Sequence, residues 1–248
     1  MFKGNPIKGA SYLWQGFQLL GNPKLRLFLL IPILINTIIF ACLLFYTLDY
    51  INSWIDSFFG WIPDWLNFMD WIIWPFLITS VLLICGYLST IVAILIASPF
   101  NSLLAEKAEE LLTGQPVDSL EGFYGAIRSF PLSIGRELKK ILYYAPLLIT
   151  ISVLSFIPPI TLIAPLLWFF LGAWMMSVQY CDYPLENNCK SFDDIKYLLR
   201  QKRLTSLGFG GIVSLISAIP VINFVVMPAA VCGAVIYWCE ELKSIEST

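Results

Sequence analysis

ILYYAPLLITISVLSFIPPITLIAPLLWFFLGAWMMSVQYC, residues 141–181, runs for 41 positions without a charged side chain. A helix crosses a bilayer core of about 30 Å with roughly 20 apolar residues. The stretch is about twice that length, and Pro158 and Pro159 stand near its middle. Proline cannot continue a helical hydrogen-bond ladder, and it disfavours helix in the residue before it. The stretch therefore reads as a helical hairpin with arms Ile141–Ile157 and Ile160–Cys181. Three other stretches lack charge: Leu27–Leu48, Trp71–Ala105 and Leu204–Cys239, of 22, 35 and 36 residues. The first fits a single crossing. The last has Pro220 near its middle and reads as a second hairpin, Leu204–Ile219 with Val221–Cys239. These arms are short for full crossings, which favours partial insertion with the turn covered by protein or a water-filled cavity.

Composition agrees. Hydrophobic residues make up 58% of the 248-residue chain and charged residues 13%, against about 25% charged in soluble domains. That leaves too little polar surface to solvate a globule. There is no histidine, which removes the commonest general base and metal ligand. No nucleotide-binding glycine motif or calcium loop appears. No catalytic residue, metal site, cofactor or nucleic-acid partner is expected. The six cysteines form no CxxC pair and read as small apolar fillers. Met1–Leu20 has polar residues scattered where the apolar core of a cleavable signal peptide would lie.

Charge placement sets the topology. The 49–70 segment holds Asp49, Asp56, Asp64 and Asp70 and no cation, while all 15 Lys and Arg lie elsewhere. The positive-inside rule puts 49–70 outside and every basic segment in the cytoplasm, with both termini. The expected architecture is an all-α integral membrane protein with a single membrane domain, 1–248. Residues 27–48 and 71–97 are two long transmembrane helices joined by a periplasmic loop, 49–70. Residues 141–181 and 204–239 are the hairpins, and 98–140 and 182–203 are cytoplasmic or interfacial. Residues 1–26 hold an amphipathic helix with the stripe Ile7, Ala10, Leu13, Trp14, Phe17 and Leu20. A second such helix follows Ser191, capped with Asp194, with the stripe Phe192, Ile195, Leu198 and Leu199. Both read as helices lying at the membrane surface. Gly114 and Pro116 end the second long helix after Glu106–Leu112.

One interruption carries chemistry. In Ser98–Glu106, SPFNSLLAE, Pro99 breaks the ladder, and Asn101 and Ser102 are strong helix-capping types. A helix start there presents amide N–H groups with partial positive charge, which suits an anion; the plain alternative is a capped kink. Arg26, just before the first long helix, falls on the same side of the membrane. Its planar fork of donors suits a tetrahedral oxyanion, although an anchor near the headgroups explains it equally. Arg128, Arg136, Lys139 and Lys140 are spaced to line one side of a helix, as a pore wall or as a lipid-headgroup contact.

Several stretches together resemble the CysZ family of bacterial sulfate permeases over nearly the whole chain. They are Leu25–Asn36 (LRLFLLIPILIN), Pro63–Leu66 (PDWL), Ser98–Glu106, Ala164–Phe169 (APLLWF), Gln179–Pro184 (QYCDYP) and Met227–Ala234 (MPAAVCGA). The resemblance implies sulfate uptake across the inner membrane for cysteine biosynthesis, by two long transmembrane helices and two pairs of partially inserted helices in a homo-oligomer. It implies a sulfate site of Arg26 and the backbone amides of Ser102 and Leu103, with Leu104, Ala105 and Glu106 completing the motif. Asn101 joins this set through its capping chemistry, and Glu106, Arg128 and Arg136 are candidates for the pore or gate. Two positions depart from the family pattern: Leu27 replaces the second of two adjacent arginines, and Ser102 replaces the motif glycine. The rival readings are a non-transporting membrane scaffold or assembly protein, and a permease for another oxyanion such as thiosulfate, selenate or molybdate.

Overall fold

A computed structural model describes residues 3–59, 70–117 and 130–246. Every element among them is helical. In chain order these are α1 (Pro6–Leu20), α2 (Pro23–Phe59), α3 (Asp70–Thr113), α4 (Phe130–Ser155), the single turn α5 (Pro158–Thr161) and α6 (Ala164–Asn187). They are followed by α7 (Phe192–Gln201), α8 (Arg203–Ser217), α9 (Pro220–Tyr237), a π-helical turn at Trp238–Leu242 and α10 (Lys243–Glu246).

The chain divides into two compact units, Leu30–Ser98 and the remainder. The first holds most of α2 and α3. Val81 and Cys85 are buried in it, and the Cys85 thiol donates to the Thr47 hydroxyl at 3.5 Å. α2 has 37 residues and α3 has 44, longer than the charge-free stretches within them. At 1.5 Å per residue they reach about 55 and 66 Å. Residues 49–59, expected in a loop, are helical and extend α2. Aspartates without a flanking proline or glycine do not stop a ladder that is already running. The rest of the acidic segment, 60–69, lies outside the described residues. At the other end, α3 stops where the sequence places its stop: Gly114 has φ +69° and its N–H donates to the Glu110 carbonyl at 2.9 Å.

The second unit carries the core. Both proline-centred hairpins are present, α4–α6 turning through α5, and α8–α9 turning at Ala218–Ile219. The helix α4 starts well before Ile141, because Phe130–Lys140 continues into it without a break. Among the described residues, Gly135–Ser155, Ala164–Asn187 and Val225–Ile245 are long and apolar enough to cross a membrane. The first hairpin therefore has two arms of crossing length, while α8, with 15 residues, reaches only about 22 Å. Apolar side chains point outward along α4, with Leu142 66% and Ile149 63% exposed. Water would penalise such a surface and lipid does not. The chain is an all-α membrane protein.

The two amphipathic helices use their apolar faces against protein. On α7 the stripe Phe192, Ile195, Leu198 and Leu199 is buried. Ser191 and Asp194 form the expected reciprocal cap, with the Asp194 N–H donating to Ser191 Oγ at 3.2 Å and the Ser191 N–H to Asp194 Oδ2 at 2.9 Å. On α1 the buried face is Gly9, Tyr12, Leu13, Gly16 and Leu20, so Ile7 and Trp14 of the expected stripe point outward. The reason is backbone contact. α1 lies directly on α8 and α9, where a Cβ on Gly9 would collide with the Thr205 carbonyl and one on Gly16 with the Ala229 carbonyl. Tyr12 stacks on Tyr237 with ring centroids 5.1 Å apart. Lys8 pairs with Glu241 at 3.0 Å, and Lys202 reaches the same carboxylate at 3.3 Å.

Candidate functional site

The segment expected to start a helix lies inside one. α3 runs unbroken through Pro99, so the amides at 101–104 are taken by carbonyls one turn back. Proline removes one rung, the bond to the Leu95 carbonyl, yet long membrane helices tolerate that loss. A fresh helix N-terminus at Asn101–Ser102 is therefore absent in this conformation. Leu103, Leu104, Ala105 and Glu106 are buried, and they place this part of α3 within the core of its unit.

The C-terminal two turns of α6 grip this segment. The Ser102 hydroxyl donates to Asn187 Oδ1 at 2.7 Å, and Asn187 Nδ2 donates to the Ser102 carbonyl at 2.8 Å. One turn earlier, Tyr183 accepts from Asn101 Nδ2 at 3.4 Å. One residue on, Asn188 Nδ2 donates to Glu109 Oε2 at 2.8 Å, and Trp238 Nε1 reaches Glu109 Oε1 at 3.2 Å. These bonds satisfy a carboxylate that is 2% exposed. Glu106 pairs with Lys107 at 3.5 Å. Lys107 is held above its ordinary 10.5 chiefly by its hydrogen bond to Glu110.

A second face of α6 meets α4. Asp182 accepts from Arg136 Nη2 at 2.5 Å and from Lys140 Nζ at 2.6 Å, with Asp182 and Lys140 almost fully buried. Arg136 also donates to the Lys190 carbonyl at 2.9 Å and faces Glu186 at 3.6 Å, while Lys140 pairs with Glu137 at 2.7 Å. Spacings of four residues on each helix, 136 with 140 and 182 with 186, bring these charges to one seam. The guanidinium of Arg136 is thus committed to internal partners. Arg128 lies outside the described residues.

Arg26 stands apart from the grip. Its side chain is exposed and its Nε donates to the Gly21 carbonyl at 3.1 Å. Among the described residues no carboxylate pairs with it, and no hydrogen bond joins it to residues 101–104. Leu25 beside it is fully buried, which pins the first turn of α2 and turns Arg26 outward. The structure therefore assembles Asn101–Glu106 with Tyr183, Asn187 and Asn188, and leaves Arg26 outside that group. Residue types alone did not single out Tyr183 or Asn187. The dense polar run from Asp182 to Lys190 directly after 41 uncharged positions was the available signal.

Residues 12–228 match the family described as Sulfate transporter CysZ/Etoposide-induced protein 2.4. Among curated relatives, a protein of Vibrio parahaemolyticus named Sulfate transporter CysZ is 39% identical over 236 residues, covering 95% of each chain. Proteins of the same name from Pseudomonas aeruginosa and Pseudomonas paraeruginosa are each 40% identical over 237 residues, covering 95% of this chain and 96% of theirs. The chain belongs to the Sulfate transporter CysZ/Etoposide-induced protein 2.4 family.

Proposed function

We propose that this chain is a sulfate permease of the bacterial inner membrane, a transporter and not an enzyme, which supplies sulfate for cysteine biosynthesis. The observation that carries the reading is end-to-end likeness, at about 40% identity, to relatives named for sulfate transport. Sulfate is held by Arg26 and by backbone amides of Asn101, Ser102, Leu103 and Leu104, with Glu106, Arg128 and Arg136 near the route or its gate. Both termini lie in the cytoplasm, and the working form is a homo-oligomer in the lipid bilayer. The hairpins insert without all of their arms crossing.

The helical state of α3 makes this mechanism conditional. Amides at 101–104 reach an anion only when the turn before them opens, and Pro99 makes that turn the cheapest to open because one of its rungs is already missing. Sulfate then exchanges water for amide donors and the Arg26 guanidinium, without a permanent helix start that would hold it too long for conduction. The test is sulfate uptake into liposomes holding purified protein, with wild type against Arg26→Ala at equal inserted amount. Uptake should fall about tenfold in Arg26→Ala, the order expected when a charge-assisted contact is lost. Undiminished uptake removes Arg26 from the mechanism.

One observation favours the scaffold reading: Arg136 and Lys140 are spent on internal carboxylates and offer nothing to a passing anion. Liposomes that stay sulfate-impermeable with wild-type protein would decide for it. Competition by thiosulfate, selenate and molybdate against labelled sulfate separates the oxyanion alternatives.

A further inference from the structure

We infer that Asn187 is the positioning residue for the sulfate-binding segment of α3, an inference that rests on reading Asn101–Leu104 as that segment. Asn187 is buried, at 7% exposure, and both polar atoms of its side chain are used on one residue. Its Oδ1 accepts a hydrogen bond from the Ser102 hydroxyl and its Nδ2 donates to the Ser102 carbonyl. A side-chain amide that pairs with both a hydroxyl and a carbonyl of the same residue fixes helix register as well as distance. A slip of one residue along α3 would break both bonds and strand a buried amide, which is costly. Being uncharged, Asn187 does this without competing with a dianion for its ligands.

Two companions keep the geometry. Tyr183, four residues before Asn187 on the same face of α6, meets Asn101. On the adjacent face, Asp182 and Glu186 hold Arg136, and this ties the end of α6 to α4. The end of α6 is thus fixed from one side and presents Asn187 to α3 from the other. When the turn at Pro99 opens, the part of α3 from Ser102 onward stays seated, so the freed amides emerge at a set place. The Ser102 hydroxyl is spent on Asn187 and gives sulfate no donor. The serine that replaces glycine in the motif therefore serves the grip and not the ligand.

The experiment is sulfate uptake into liposomes, reading KM and the maximal rate per inserted protein for wild type, Asn187→Leu, Asn187→Asp, Ser102→Gly, the Asn187→Leu/Ser102→Gly double variant and Arg26→Ala. Asn187→Leu should raise KM about tenfold with the maximal rate within about twofold, since ordering of the site is lost and the route is not. Ser102→Gly keeps the carbonyl bond and should raise KM by about threefold at most. The double variant should match Asn187→Leu, because the hydroxyl matters only through Asn187. If Asn187→Leu fails to insert, Asn187→Asp decides: it is isosteric, keeps the acceptor for the hydroxyl, loses the donor, and should also raise KM about tenfold. An unchanged KM in the Asn187 variants, with only insertion or thermal stability reduced, overturns the inference. Arg26→Ala separates the two ideas. If it raises KM while the Asn187 variants do not, only the inference falls; if neither moves KM, the reading of the segment falls as well.

Discussion

Cys189 has φ +58° and is the single non-glycine residue with positive φ among the described residues. It ends α6: its N–H donates to the Glu186 carbonyl at 2.9 Å and the next N–H, of Lys190, to the Leu185 carbonyl at 2.9 Å. This paired closure usually employs glycine, because a Cβ in the left-handed region costs roughly 1–2 kcal/mol. Cys189→Gly should therefore stabilise the purified protein by about 1 kcal/mol, read as a higher melting temperature in detergent, with the hydrogen bonds of Asn187 and Asn188 retained. A lowered melting temperature would count against the strain. At this scale the sequence reveals residues whose chemistry is intrinsic and hides those defined by a partner. Arg26 and Asn101–Ser102 stand out by type alone. Asn187 does not, because its partner lies 85 positions away and a buried asparagine looks like any polar loop residue until that distance closes. Arg136 shows the converse, a cation whose type suggests availability but whose partner Asp182 lies 46 positions along the chain.

Elements were legible where their signals are local. The cap of α7 needs only four consecutive residues, and Ser191 with Asp194 closes it as expected. Ser191→Ala should cost about 1 kcal/mol of stability. Asp194 adds a pH dependence of known sign. Its carboxyl is held below its ordinary 3.8 chiefly by hydrogen bonds from the Ser191 hydroxyl and amide. Its contribution is therefore full above that ordinary value and is lost as pH falls through the depressed one. Melting curves of wild type and Asp194→Ala should differ at neutral pH and converge as the solution is acidified below about pH 3.8. A constant gap would mean that packing, and not the charge, makes the difference. α3 departs from the sequence expectation at Pro99 for an equally physical reason. Local preference favours a break there, but burial of Leu103, Leu104 and Ala105 in the core of their own unit rewards helix from Pro99 onward.

Over the whole molecule, the hairpins were readable because a proline near the middle of an apolar stretch breaks the helix without regard to neighbours. The seat of α1 was not. Gly9 and Gly16 are unremarkable in sequence, and only the carbonyls of Thr205 and Ala229 explain them. Gly16→Leu should dislodge α1 from α8 and α9 and destabilise the protein by about 3 kcal/mol, the upper range for overpacking, because backbone on the other side cannot yield. Limited proteolysis near the N-terminus checks it: the wild type should resist cleavage in α1 and the variant should not. The same seat sets an order of events during synthesis. The Asn5 N–H bonds to Thr205 across 200 positions of chain. At about 5–20 residues per second, a ribosome needs roughly 10–40 s to make that length. α1 thus leaves the ribosome well before α8, the helix that seats it. Until the C-terminal hairpin is made, the face of α1 that carries Tyr12, Leu13 and Gly16 stays without the partner that buries it.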